Sequence, residues 1–178
     1  GITIKSESIF EYGTIATGSI ADGALALAAS AVTNSEDVMV RSTSFKASGS
    51  YIQGVKTSET YYDVHLGKGD EIADRSWNYA GNGTTLKSES IFEYGTANIL
   101  DGAAGSRAAL TANSENVMVR SASFKASGSY VQGVKTSETY YDVHLGKGDE
   151  IADRSWNFAG DGITIKSESI FEYGTIAT

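Results

Sequence analysis

The opening of the chain sets Ile2, Ile4, Phe10 and Tyr12 on one side of an extended backbone and Thr3, Lys5, Glu7 and Glu11 on the other, with Ser6, Ser8 and Ile9 interrupting the alternation. A period near two is the mark of a half-buried strand. The same reading extends to Val38–Phe45, to Ser50–Ile52 and to Val55–Leu66, all rich in β-branched and aromatic residues. Gly49 and Gly54 punctuate these runs as a turn and a bulge or bend. Leu66-Gly67-Lys68-Gly69-Asp70 predicts a tight turn, because two glycines supply positive φ. Glu71–Tyr79 reads as a strand, or as one helical turn leading into a strand. Ala24–Val32 is Ala-rich, but its counterpart Ala103–Ala112 contains Gly105 and Ser106, so it is read as strand or loop.

The pattern repeats. The phrase that begins at Lys5 and ends at Thr14 recurs at Lys87 and again at Lys166. Residues 38–83 and 117–162 differ only at Thr43/Ala122, Ile52/Val131, Tyr79/Phe158 and Asn82/Asp161. The length change between the copies falls in the diverged stretch before Val38 and Val117, where a surface loop is expected. The chain therefore divides into a β-repeat at 1–82, a second at 83–161, and a partial third at 162–178 that restates 1–17. Such a restated end, with Gly1 in place of an initiator Met, suits a processed chain or a window on a longer array. The fold class expected is all-β: two tandem antiparallel β-units of about five strands each, arranged as a sandwich, a barrel or a continuous sheet, plus one extra terminal strand.

With three leading strands and two bodies, pairing one to one leaves a leading strand over, either Ile2–Tyr12 or Ile163–Tyr173. The leftover strand is expected to complete the sheet of a neighbouring chain. The residues assigned to assembly are Ile2, Ile4, Phe10 and Tyr12 with Ile163, Ile165, Phe171 and Tyr173. In-register stacking of identical strands is disfavoured, since it would set Glu7 and Glu11 over their own copies.

Composition narrows the partners. Net charge −8 argues against nucleic acid, whose phosphates require a basic surface. The chain has no Cys, so disulfides and thiol chemistry are excluded, and no Pro, which removes one ordinary device for blunting sheet edges. No apolar run reaches the roughly 20 residues of a membrane span.

Candidate chemistry is sparse. Asp63 and His65, repeated as Asp142 and His144, would share a face if both lay in a strand, as in a catalytic relay or a metal ligand pair. No nucleophile motif accompanies them, and no enzymatic activity is expected. Asp70, Glu71 and Asp74, with Asp149, Glu150 and Asp153, are the candidate Ca²⁺ ligands. Their spacing matches no EF-hand, and Glu71 would pair with Arg75 if that segment were helical. No other cofactor is expected. Trp77 and Trp156, with Tyr79 and Phe158, offer either a small-domain core or a sugar-stacking platform, which makes surface glycans the candidate second partner. Asn82-Gly83-Thr84 is an N-glycosylation acceptor, which the second copy lacks at Asp161.

The Ser/Thr-rich repeat built on Lys5–Gly13, the lack of Cys and Pro, and the overlapping ends resemble, in style over the whole chain, the repetitive proteins of methanogenic archaeal sheaths and surface layers. The resemblance implies an extracellular, cell-surface location and a β-rich subunit that polymerises with itself into rings, hoops or fibres. The chain is thus expected to be a structural subunit of such a polymer. The rival expectation is an adhesin or carbohydrate-binding repeat.

Overall fold

The computed structural model describes residues 4–14, 19–49, 51–111 and 113–174. The first repeat forms β1 (Ser6–Gly13), β2 (Leu27–Ala28), β3 (Val38–Gly49), β4 (Ile52–Asp63) and β5 (Ile72–Tyr79). The second forms β6 (Leu86–Gly95), β7 (Ser106–Arg107), β8 (Val117–Gly128), β9 (Val131–Asp142) and β10 (Ile151–Phe158), and the third leading strand is β11 (Ile165–Ile170). The Ala-rich stretch resolves into a two-residue strand and one 3-10 turn, Ala29–Ala31, matched by Ala108–Leu110 in the second copy. No helix among the described residues is long and apolar enough to cross a membrane.

All pairings are antiparallel and form one open sheet in the order β11-β10-β9-β8-β6-β5-β4-β3-β1-β2, with β7 beside the end of β6. Of the architectures left open by the sequence, this is the continuous sheet. Its topology corrects the count of leading strands. β6 pairs with β5 of the first repeat on one edge and with β8 of the second on the other. β1 pairs with the body that follows it and β11 with the body that precedes it. A leading strand is shared by two bodies, so three strands flank two bodies and none is left over.

The face of the sheet that carries the core is the one the hydropathy pattern assigned to solvent. Glu11 pairs with Arg41, which lies opposite Tyr61, which lies opposite Arg75, all on this inner face. Phe10, on the other face, is 49% exposed. The inversion has an electrostatic cause. Arg41 donates from Nε and Nη2 to both oxygens of Glu11 at 2.6 and 2.7 Å, and Arg120 does the same to Glu93 at 2.8 and 2.8 Å. Bidentate pairs of this kind satisfy charges that would otherwise be costly to cover. Small apolar clusters complete the inner face. Val38, Val40 and Val64 pack under Ile20 and Ala26, and Val117, Val119 and Val143 pack under Ile99 and Tyr141.

The outer face explains the serine content. One row of facing residues runs from Phe10 through Ser42, Thr60 and Ser76 to Ser90, then through Ser123, Ser137 and Asn157 to Ser167. Thr60 donates to Ser76 at 3.2 Å and Thr139 to Ser155 at 3.2 Å across neighbouring strands. Ser90 is the counterpart of Ser8, not of Phe10, and Ser167 is the counterpart of Ser6. Each repeat is therefore displaced by two residues along the strand direction, about 7 Å at a rise of ~3.4 Å per residue. The displacement shears the sheet.

Candidate assembly surfaces

The joint between the two repeats shows how one unit recognises the next. Its first part is the shared strand β6. Its second is the segment around β7: Arg107 donates to Asp74 at 3.1 and 2.6 Å, Ala108 is fully buried, and His65 Nε2 lies 3.2 Å from the Thr111 carbonyl. Its third is the tip of the β8–β9 hairpin, which bends back over the inner face of the first repeat. Register shifts at Ser123/Phe124, Phe124/Ala126 and Ala126/Gly128 produce the bend. Gly133 is required there, because a Cβ would stand 2.5 Å from the Lys125 carbonyl oxygen.

At that tip Tyr130 adopts φ 55°, and its counterpart Tyr51 adopts φ 59°. A non-glycine residue in this region costs on the order of 1–3 kcal/mol, so a bulky side chain kept there points to a role for the ring. The ring of Tyr130 meets Trp77 edge-on, with centroids 5.7 Å apart and planes at 86°. Such pairs contribute ~0.5–1.5 kcal/mol beyond their burial. The Tyr130 hydroxyl donates to Glu59 Oε2 at 2.8 Å and lies 3.0 Å from the hydroxyl of Tyr79. Glu59 is 3% exposed. Burial pushes its pKa up, but hydrogen bonds from Lys56, Tyr79 and Tyr130 outweigh that and hold it below the usual carboxylate value. Gln132 donates to Glu89 at 2.8 Å, and burial raises the Glu89 pKa. Trp77 and Tyr79 fit the small-domain core that the sequence offers for them, but hydropathy gives no sign of Glu59, Glu89, Tyr130 or Gln132. The one signal in the sequence is that Tyr and Gln recur at fixed places around a hairpin tip where a turn residue is expected.

The residues assigned to assembly are placed as follows. Ile2 lies outside the described residues. Ile4 precedes β1 and lines a groove with Tyr51 and Ile52. Phe10 is on the outer face, and Tyr12 follows the point where β3 bulges at Val40 and is half-buried. Ile163, Ile165, Phe171 and Tyr173 are largely exposed; Ile163 lies in the turn before β11, and the other three belong to an intramolecular pairing. Ile165 is opposite Phe158, the Phe171 N–H donates to Asp153 at 2.9 Å, and the Tyr173 hydroxyl donates to Ala152 at 2.7 Å. Tyr94 makes the same bond to Ala73 at 2.6 Å, so β11 sits on its preceding body as β6 does. Among the described residues two edges remain open. β2 covers β1 only at Glu11 and Tyr12, leaving the Ser6–Phe10 edge free, and β11 has no partner on its far side.

The candidate Ca²⁺ ligands are not brought together. Glu71 accepts from the Met39 and Gly69 N–H groups at 3.2 and 3.0 Å, which ties the glycine turn to β3, and Glu150 repeats this with Met118 and Gly148 at 3.1 and 3.0 Å. Asp74 is held by Arg75 and Arg107, and Asp153 by Arg154. Asp70 and Asp149 close the turns through their own backbone N–H groups. Among the described residues no group of three or more His, Asp or Glu side chains converges on one point. Glu71 does not pair with Arg75, because the segment from Ile72 is a strand and Arg75 reaches Asp22 at 2.6 Å.

Asp63 and His65 do not share a strand face either. β4 ends at Asp63, and the carboxylate bonds both the backbone N–H and Nδ1 of His65 in the following turn. Asp142 and His144 repeat the arrangement. Trp77 is 1% exposed beneath Tyr130 and presents no stacking face to a sugar, whereas Trp156 is half-buried. Asn82 is exposed, and its Oδ1 accepts from the Thr84 and Thr85 N–H groups at 3.1 and 3.0 Å to close the β5–β6 turn. Asp161 does the same for Ile163 and Thr164, at 3.0 and 2.9 Å, which accounts for that exchange.

The chain matches no protein-family model, no curated protein and no solved structure.

Proposed function

We propose that the chain is a structural subunit of an extracellular polymer, a sheath, fibre or surface layer, in which copies join by continuing one β-sheet. The observation that carries this reading is β6, a single leading strand paired with a body on each edge. The two open edges are the two halves of that joint. β1 carries a free edge of the kind β6 offers to β5, and β11 carries one of the kind β6 offers to β8. At a joint between copies only one leading strand is needed, so β1 of one copy and β11 of the other compete for one place. β11 gives way. It is held by five register pairs and is exposed throughout, whereas β1 has eight and the Arg41–Glu11 ion pair. The mechanism is a strand exchange, in which an incoming β1 replaces β11 on β10.

The resemblance to methanogenic sheath and surface-layer proteins supports the same reading and its extracellular, cell-surface setting. The rival role, an adhesin or glycan-binding repeat, has one remaining platform, the half-buried Trp156. Negative-stain imaging of the purified chain across a concentration series tests the proposal. Long ribbons or rings are expected, and monodisperse particles of single-chain size at every concentration would refute it.

A further inference from the structure

The joint inside the chain has both of its halves repeated at the chain's extremities, unpartnered. In the first repeat, Tyr130 fills the space over Gly23 so closely that a Cβ there would stand 2.7 Å from its ring. In the second repeat the counterpart Gly102 has nothing within 4 Å of the same point. The rest of that cradle is built. The Gly102 N–H donates to Tyr140 at 2.7 Å as Gly23 does to Tyr61 at 2.8 Å, and Glu138 accepts from Lys135 at 3.0 Å as Glu59 does from Lys56 at 2.7 Å. Trp156 stands where Trp77 stands, but half-buried instead of covered. Glu138 has no tip phenol to bind and takes a longer contact from Arg120, at 3.3 Å. At the other extremity, Tyr51 projects from the β3–β4 tip at 92% exposure, in the left-handed conformation of Tyr130 and with nothing to seat on.

We propose that Tyr51 of one copy of this chain seats over Gly102 and Trp156 of a second copy and donates to its Glu138, while Gln53 of the first copy bonds Glu7 of its own β1, which stands on the second copy's β10 as β6 stands on β5. This rests on the assembly reading and names the contact that sets which surface meets which. The geometry is that of Tyr130 on Gly23, Trp77 and Glu59, with Gln132 on Glu89, transferred between identical residues. Two contacts of the internal joint are missing from the external one. Phe158 replaces Tyr79 and removes a hydroxyl from the cradle, and Ala28 replaces Arg107, leaving Asp153 without a second guanidinium. The joint between copies is accordingly weaker than the joint within one, and it opens and closes while the chain stays folded.

The chain has two tryptophans, and Trp77 is already covered, so the fluorescence of Trp156 reads the seating directly. Emission is recorded over a dilution series of the full chain, with negative-stain imaging at each point. A blue shift with rising concentration is expected. Tyr51→Gly, which relieves the positive φ and preserves the tip, should raise the midpoint at least tenfold, and Phe158→Tyr should lower it several-fold. An unchanged series for Tyr51→Gly overturns the seating, and if ribbons form in both, the assembly reading survives it. A Tyr51-dependent shift without ribbons at any concentration upholds the seating and overturns the polymer.

Discussion

Deleting residues 162–178 is expected to promote assembly. A leftover-strand account predicts the reverse, since the deletion would remove the linker. The shared-strand topology leaves the truncated chain with two leading strands for two bodies, and with the edge of β10 open to β1 of the next copy. In the full chain that edge is occupied by β11 over five register pairs and by the Phe171 and Tyr173 bonds at 2.9 and 2.7 Å. An incoming β1 carries the same Lys-Ser-Glu-Ser-Ile-Phe-Glu-Tyr-Gly sequence, so the pairing energies of the two strands largely cancel. What separates them is the tether: β11 is attached to β10 through a short turn and competes at an effective concentration on the order of millimolar. Against chains at micromolar concentration the advantage is about 10³, or ~4 kcal/mol. The threshold for assembly of residues 1–161 should therefore fall by about two to three orders of magnitude. Light scattering and sedimentation velocity of both forms from nanomolar to high micromolar concentration measure it. A truncated chain that stays monomeric where the full chain assembles would refute the shared-strand mechanism.

Three further outcomes follow from the inner face and the hairpins. Glu93→Gln leaves the Arg120 guanidinium covered without its bidentate partner and should cost about 3 kcal/mol in urea unfolding, whereas the paired change Glu93→Leu with Arg120→Met should cost far less. Gly54→Ala drives a Cβ into the Lys46 carbonyl oxygen and should cost about 2 kcal/mol or more, while Gly81→Ala, with open space around it, should stay within about 0.5 kcal/mol. Hydrogen bonding to Asp63 raises the His65 pKa above 6.5, so the stability it contributes is fully present below pH 6.5 and is lost as pH rises through the folded value. Thermal melts from pH 5 to 9 should show that decline, and His65→Gln should flatten it.

The sequence made the repeat, the strands and the glycine turns legible, because each follows from local geometry: period two in Val55–Leu66, positive φ at Gly67 and Gly69. The facing of β1 was not legible. Hydropathy assigns Glu11 to solvent and Phe10 to the core, and only the cross-strand partner Arg41, 30 residues away, reverses the assignment. Arg75 was equally hidden, since its partner Asp22 is 53 residues distant and lies in a segment with no clear pattern. The sharing of leading strands is also a non-local fact. A strand's sequence states that it will pair, but not on how many edges. The role of Tyr130 depends on a hairpin long enough to bend onto the preceding repeat; Gly54 and its counterpart Gly133 announce the bend, but not the surface it bends onto.

The differences between the copies bear on how so repetitive a chain reaches one structure. Near-identical neighbours invite mispairing, because β8 and β9 offer almost the same residues as β3 and β4. Between residues 38–83 and 117–162, Ile52/Val131 keeps an aliphatic tip and Asn82/Asp161 preserves the same turn acceptor. Thr43/Ala122 trades a bond from Thr43 to Glu11 at 3.2 Å for a methyl facing Ile91. Tyr79/Phe158 is different. Only with Tyr79 in the first cradle does the incoming tip phenol gain a hydroxyl partner, and only with Arg107 in the second repeat does Asp74 gain its second guanidinium. Both of these asymmetries lie on the joint and favour the second repeat following the first. A swapped arrangement, with the second repeat's cradle receiving the first repeat's tip, would forfeit both. The order of the units is thus written in two side chains at their boundary, while the bodies remain free to be copies.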